Sequence, residues 1–216
     1  MEYISIDIET TGLDREKDQV LEIGAIIENT LDPKPFAELP KFHAIIQHER
    51  YEGSAYAINM NQRIFKILSE IPKDKGGRDY ALYVNRHNIV SINDVAVDFY
   101  YWCMENLINK PKDTQTPVTS IVAGKNYTDF DKQYLQKLPD WNKYFQFQRR
   151  VLDPTVLYTD FIGDTKLPDL NKCLERARIK DTVVTHDAVN DAWQVIQTLR
   201  PKYVEENYLG FKILIK

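Results

Sequence analysis

The chain has 216 residues, 43% hydrophobic and 28% charged, with a formal net charge of −4 and two cysteines. That length supports a full hydrophobic core without disulfide or metal staples, which excludes a disulfide-framed miniprotein. The negative charge argues against a surface that grips long nucleic acid, because such binding is mostly phosphate neutralisation.

Cys103 and Cys173 lie far apart, with no C-x-x-C spacing, and read as small buried hydrophobes in a reducing compartment. The first residues carry no basic and apolar leader pattern, and no apolar run reaches membrane-spanning length. The expectation is a soluble cytoplasmic protein with no membrane partner.

In chain order, Tyr3 to Glu9 reads as a strand with Ile4, Ile6 and Ile8 on one face. Side chains alternate across a strand, so Ser5, Asp7 and Glu9 share the other face. Two carboxylates on one face repel, and burying them unpaired costs several kcal/mol each. The turn Thr10-Thr11-Gly12 follows, with nothing basic in it. Val20–Ile27 and Lys41–His48 read as two further strands, linked through the Pro-containing stretch Asp32–Pro40. Short polar connections make the three an antiparallel meander.

Apolar residues at helical spacing predict one helix over Ser54–Leu68, and Pro72–Asp79 reads as a loop. Asn93–Ile108 predicts an apolar helix capped by Asn93. The second half alternates. Ser120–Asn126 is a strand and Asp129–Leu138 a helix, with Asn126 as its cap and Asp129 completing a capping box. Arg149–Tyr158 reads as a strand running into a turn, and Leu167–Ile179 as a helix. Thr185–Glu206 reads as a long helix that Pro201 either kinks or interrupts. The closing Leu209–Lys216 is an edge strand or a docking segment. Three strands followed by alternating elements imply an α/β fold, a mixed sheet flanked by helices. One domain over residues 1–216 is expected, with 205–216 as a C-terminal extension.

The acids on the first strand need partners, and two more stand at suggestive points. Asp131 lies near the start of a helix that follows a strand. Asp191 follows His186 by five positions, about 140° of helix rotation, so His186 flanks a cluster that Asp191 joins without sharing its face. Four carboxylates converging without basic partners suit hard divalent cations, which take oxygen ligands. Mg²⁺ or Mn²⁺ would then supply the missing positive charge.

The set resembles the DEDDh family of 3′–5′ exonucleases, which have a ribonuclease H-like fold. Asp7, Glu9, Thr10, Thr11, Gly12 and Leu13 match its D-x-E-T-T-G-L motif; Asn126, Phe130 and Asp131 its second; His186 and Asp191 its H-x-x-x-x-D. The first match arises by chance in about one in several thousand such chains, whereas H-x-x-x-x-D counts only in combination. The resemblance implies Asp7, Glu9, Asp131 and Asp191 as ligands of two ions and His186 as general base. It also implies that Thr10, Gly12, Leu13 and Asn126 meet the substrate, with Leu13 wedging against the terminal bases. The product would be nucleoside 5′-monophosphate, cut from the 3′ end of short single-stranded RNA or DNA. Tyr127, Tyr134 and Trp141 read as core residues before base-stacking ones, and Lys125, Arg149 and Arg150 are candidate phosphate contacts. The remaining histidines, His43, His48 and His87, read as ordinary polar residues. A polymerase partner, a homodimer and a non-catalytic binding module on the same fold stay open as alternatives.

Overall fold

The alternation of isoleucine with polar residues near the N-terminus is realised in β1 (Glu2–Thr10) of a computed structural model, which describes residues 1–179 and 186–204. β2 (Val20–Asn29) and β3 (Lys41–Gln47) follow antiparallel in turn, as the meander reading expects. The expected single helix over Ser54–Leu68 is instead two, α1 (Ala55–Met60) and α2 (Gln62–Ser69). The break falls at Asn61, whose amide donates to the Thr10 carbonyl at 3.1 Å and ties the junction to the end of β1.

α3 (Arg78–His87) and β4 (Ile89–Ser91) were not expected from the sequence. β4 has only three residues, too few for a periodic signal, whereas α3 carries a short one in Tyr80, Tyr83, Val84 and His87 that the reading passed over. α4 (Val95–Asn106) is capped at Asp94, without a side-chain bond, and not at Asn93.

β5 (Ile121–Ala123) leads to α5 (Asp131–Leu135), then α6 (Trp141–Tyr144), β6 (Val151–Leu152) and α7 (Pro154–Leu157). Asn126 does not cap α5, whose cap position is Phe130. It adopts φ 59° and its N–H donates to the Asp153 carboxylate at 2.9 Å, a left-handed conformation that asparagine tolerates better than most residues. α8 (Leu170–Arg176) and α9 (Ala188–Leu199) complete the chain's helices among the described residues. α9 starts at Ala188 because the Asp187 side chain accepts from the Asn190 N–H, and Pro201 lies in a following 3₁₀ turn (Arg200–Lys202). Thr185 and the segment Leu209–Lys216 lie outside the described residues.

Among the described residues six strands order as β4-β3-β2-β1-β5-β6, with β4 parallel to β3, and β5 and β6 parallel to β1. One face of β1 presents Ile4, Ile6 and Ile8 to a core that includes Phe99 of α4 and Leu135 of α5. Tyr127, Tyr134 and Trp141 belong to the same core, as expected for them. The other face presents Tyr3, Ser5, Asp7 and Glu9 toward α9, whose Ala192, Val195 and Ile196 pack with Tyr3 and Ile26. This is the mixed α/β sandwich expected from the sequence. No helix among the described residues is long and apolar enough to cross a membrane.

Candidate active site

α9 can lie close on the sheet because β2 carries Gly24 opposite Asp7. A Cβ there would sit 2.1 Å from the Ala188 backbone. The Ser5 hydroxyl, two residues before Asp7 on the same face, donates to the Ala192 carbonyl at 2.8 Å and fixes the helix along the strand. Asp191 falls in the first turn of α9 and is buried. Asp131 opens α5, which packs on the opposite layer, and is also buried. His186 precedes the helix at φ 50°, its side chain 47% exposed, with Nδ1 3.9 Å from Glu9 Oε1. One ligating atom each from Glu9, His186 and Asp191 lies within 4.8 Å of the others.

The electrostatics identify Asp7 as the centre. Burial pushes its carboxyl well above the ordinary range, and the charges of Asp131, Asp191, Glu9 and Glu22 push it further. Burial also raises Asp131, opposed by the backbone groups of Asp131 and Ile8 and by Lys125. Glu9 rises to about 7, through burial first and then Asp191 and Glu22, against the pull of Asn61 and Arg63.

Glu22 and Arg63 were missed by sequence reasoning. Glu22 faces Glu9 across the β1–β2 ladder and its side chain is fully buried. The signal was present, since an acid inside the aliphatic run Val20–Ile27 needs a partner. Its partners are Arg63 Nη2 at 2.7 Å, His43 Nε2 at 2.7 Å and the Ala188 N–H at 3.2 Å. Asn88 donates to His43 Nδ1, so Nε2 carries the hydrogen given to Glu22. Burial alone would raise Glu22, but the bonds from His43 and Arg63 outweigh it and hold its carboxyl below the usual range. The reading that no basic residue accompanies the acids therefore needs correcting. The balance survives: five acids (Asp7, Glu9, Glu22, Asp131, Asp191) face two fixed cations, Arg63 and Lys125. A net-negative donor set dominated by carboxylate oxygen, with the His186 imidazole at its edge, fits a hard divalent cation.

The turn after β1 is built by its own side chains. Thr10 is buried and its hydroxyl donates to the Gly12 carbonyl at 2.7 Å, which also accepts from Tyr134. Gly12 makes room for Asp18, whose carboxylate would lie 2.1 Å from a Cβ. Leu13 projects into solvent, 81% exposed. Lys125 and Asn126 line a cleft of about 700 Å³ beyond the ends of β5 and β6, together with Lys166 and Lys172. Arg149 lines a separate cavity of about 310 Å³ with Tyr127 and Lys132. Arg150 is exposed just before β6.

Without divalent cation, the raised Glu9 carboxyl makes stability depend on pH. The folded protein binds more protons than the unfolded chain between the ordinary value of 4.5 and about 7. The Glu9 contribution to stability should therefore fall as pH rises through that window, alongside those of the likewise raised Asp131 and Asp7. Melting curves in chelator from pH 4.5 to 8 check this; the slope should flatten in Glu9→Gln, and an equal slope in both proteins would refute the assignment.

Fold and site together define an α/β domain with a buried acidic cluster at the carboxyl end of its central strand, of a composition that could hold a metal ion. The family model for exonucleases of the RNase T type matches residues 4–199, and the chain belongs to that exonuclease family. No curated protein sequence matches it. Among solved structures, E. coli Exonuclease I in complex with a dT13 oligonucleotide aligns at a TM-score of 0.55 and 14% identity, over 97% of this chain and 42% of that one. Exonuclease I from Methylocaldum szegediense gives 0.54 and 14%, over 93% and 40%. A further Exonuclease I structure, described as suggesting how processivity is achieved, gives 0.57 and 12%, over 92% and 40%. The chain spans less than half the length of these proteins, and the likeness is one of fold.

Proposed function

We propose that the protein is a divalent-cation-dependent 3′–5′ exonuclease of the DEDDh type that releases nucleoside 5′-monophosphates from short single-stranded RNA or DNA. The observation that carries the reading is the convergence of Asp131 and Asp191, from helices on opposite layers, on Asp7 and Glu9 of one strand, with His186 at the rim.

Asp7, Glu9, Asp131 and Asp191 would hold two Mg²⁺ or Mn²⁺ ions. When bound, such ions stabilise the negative charge that develops on attacking and leaving oxygens at phosphorus. His186 accepts a proton from the attacking water on an imidazole nitrogen. Its half-exposed ring at the rim leaves room for that water. Leu13 stands clear of the surface, where it can separate the terminal base from its neighbour. Gly12 would meet the substrate through its backbone N–H, with Thr10 shaping the turn from beneath and Asn126, whose N–H is given to Asp153, acting through its side chain. The exonuclease domain comprises residues 1–216, with 205–216 as an extension.

Product analysis on matched short RNA and DNA, each blocked at the 3′ or the 5′ end, tests the reading. Nucleoside 5′-monophosphates should appear only from free 3′ ends and only with Mg²⁺ or Mn²⁺. Release from the 5′ end, or of 3′-monophosphates, would sink it.

Substrate length follows from charge. With a net charge of −4, attraction for phosphate is local to the site. Each phosphate contact contributes about −0.7 to the salt slope on single strands, so few contacts give a shallow slope. kcat/KM should change little from short oligonucleotides to strands of several tens of nucleotides, and long blunt duplex should be a poor substrate. A steep rise with length at low salt, lost at high salt, would reveal an extended basic groove.

A further inference from the structure

Arg63 makes contacts that a surface arginine on a short helix has no need to make. Its Nη2 lies 2.7 Å from Glu22 Oε2, 3.5 Å from the His186 carbonyl oxygen and 3.9 Å from Asp187 Oδ2. The same Glu22 oxygen accepts from the N–H of Ala188, the first residue of α9. One guanidinium and one buried carboxylate thus hold three consecutive residues, His186 to Ala188. The other Glu22 oxygen is held by His43, so the carboxylate has no freedom to turn away.

This clamp has a chemical logic. Glu22 adds negative charge behind Asp7 and Glu9, which disfavours the ionised forms of both. A fully buried acid beside an already repulsive cluster is tolerable only when its own partners neutralise it. His186 sits at φ 50°, a backbone state that a residue with a Cβ holds only when its surroundings over-determine it. The carbonyl that Arg63 approaches belongs to this residue. All three contacts fall on Nη2, whose two hydrogens have directions fixed by the planar guanidinium, whereas the lysine ammonium is a point charge on a flexible stem.

We propose that Arg63, anchored on Glu22, is a positioning residue that holds His186 in the orientation needed to take the proton from water. The proposal rests on the assignment of His186 as general base, and its test separates the two.

The test is a double-mutant cycle on a short single-stranded oligonucleotide with saturating Mg²⁺. A misplaced catalytic group costs up to about 10²-fold, so Arg63→Ala should lower kcat by about 10- to 100-fold with KM within about twofold. In the His186→Ala background the same change should have no further effect, because the residue it acts through is gone. Arg63→Lys should recover only part of the loss, and guanidinium ion added to Arg63→Ala should restore more of it than ammonium does. Should Arg63→Ala fail to fold, Arg63→Lys carries the same cycle with a smaller expected loss. An equal loss in both backgrounds would overturn the proposal, placing the effect on the carboxylates or the fold. Wild-type kcat in Arg63→Ala would overturn it as well. An unaffected rate in His186→Ala alone would instead remove the general-base assignment beneath it.

Discussion

Asp7→Asn is expected to abolish hydrolysis while making the cation-free protein more stable. The two effects have one cause. Asp7 is the carboxylate on which Asp131, Asp191, Glu9 and Glu22 all act, each raising the cost of its charge. In the proposed mechanism this central carboxylate would be a ligand of the bound Mg²⁺ or Mn²⁺. Losing it forfeits several kcal/mol of transition-state stabilisation, on the order of 10³-fold in rate or more. In chelator no cation offsets the repulsion, and a neutral isostere removes it. The melting temperature at pH 8 should then rise above that of the parent chain. Turnover in Mg²⁺ and calorimetry in chelator read the two arms separately. Retention of more than a few per cent of activity would sink the shared-ligand assignment, and a lower melting temperature would show that Asp7 makes structural bonds that outweigh its repulsion.

The second large effect belongs to His186. Its replacement by alanine should slow hydrolysis by about 10²–10⁴-fold, the usual contribution of a positioned general base. The ring stands at the rim, 3.9 Å from Glu9, and its side chain is partly open to solvent. A base in this place imposes an acidic limb on the pH–rate profile, and that limb should flatten in the variant. Mn²⁺ affinity distinguishes base from ligand, because the His186 ring also lies within reach of an ion shared with Glu9 and Asp191. Affinity unchanged within a few-fold fits the base. A tenfold or greater loss would make His186 a ligand, and an unchanged pH profile would move the proton transfer elsewhere.

Both outcomes depend on residues that the sequence makes visible, and for Asp7 the reason is local. The alternation in β1 is a period-two pattern, so placing Ile4, Ile6 and Ile8 inward commits Ser5, Asp7 and Glu9 to one common face. Asp131, His186 and Asp191 stand out only through the order and spacing of their motifs, a resemblance and not a local periodicity. The three-strand meander was equally legible, because short polar connections between β-branched runs leave antiparallel pairing as the simple solution.

Only the tertiary structure decided what surrounds the acids. β4 is three residues long and carries no periodic signal, and the partner of the Tyr83 and Val84 face of α3 is seen only in the packing. The break at Asn61 is set by a bond to Thr10, fifty-one positions away, against a local apolar pattern that favours an unbroken helix. Asn126 takes a left-handed backbone conformation with its N–H given to Asp153, and α5 starts only at Asp131, neither visible in a short window. Gly24 reads as an ordinary strand glycine until α9 is seen resting on it. Glu22, Arg63 and His43 come from two strands and a helix, and only the β2–β3 register and the packing of α2 bring them together. The sequence by itself put Asp7 and Glu9 on one strand face and marked Asp131, His186 and Asp191 as candidates by motif, since alternation and short motifs are written within a few residues. The fold decided which groups hold them in place, since hydrogen bonds and ion pairs join residues without regard to their separation along the chain.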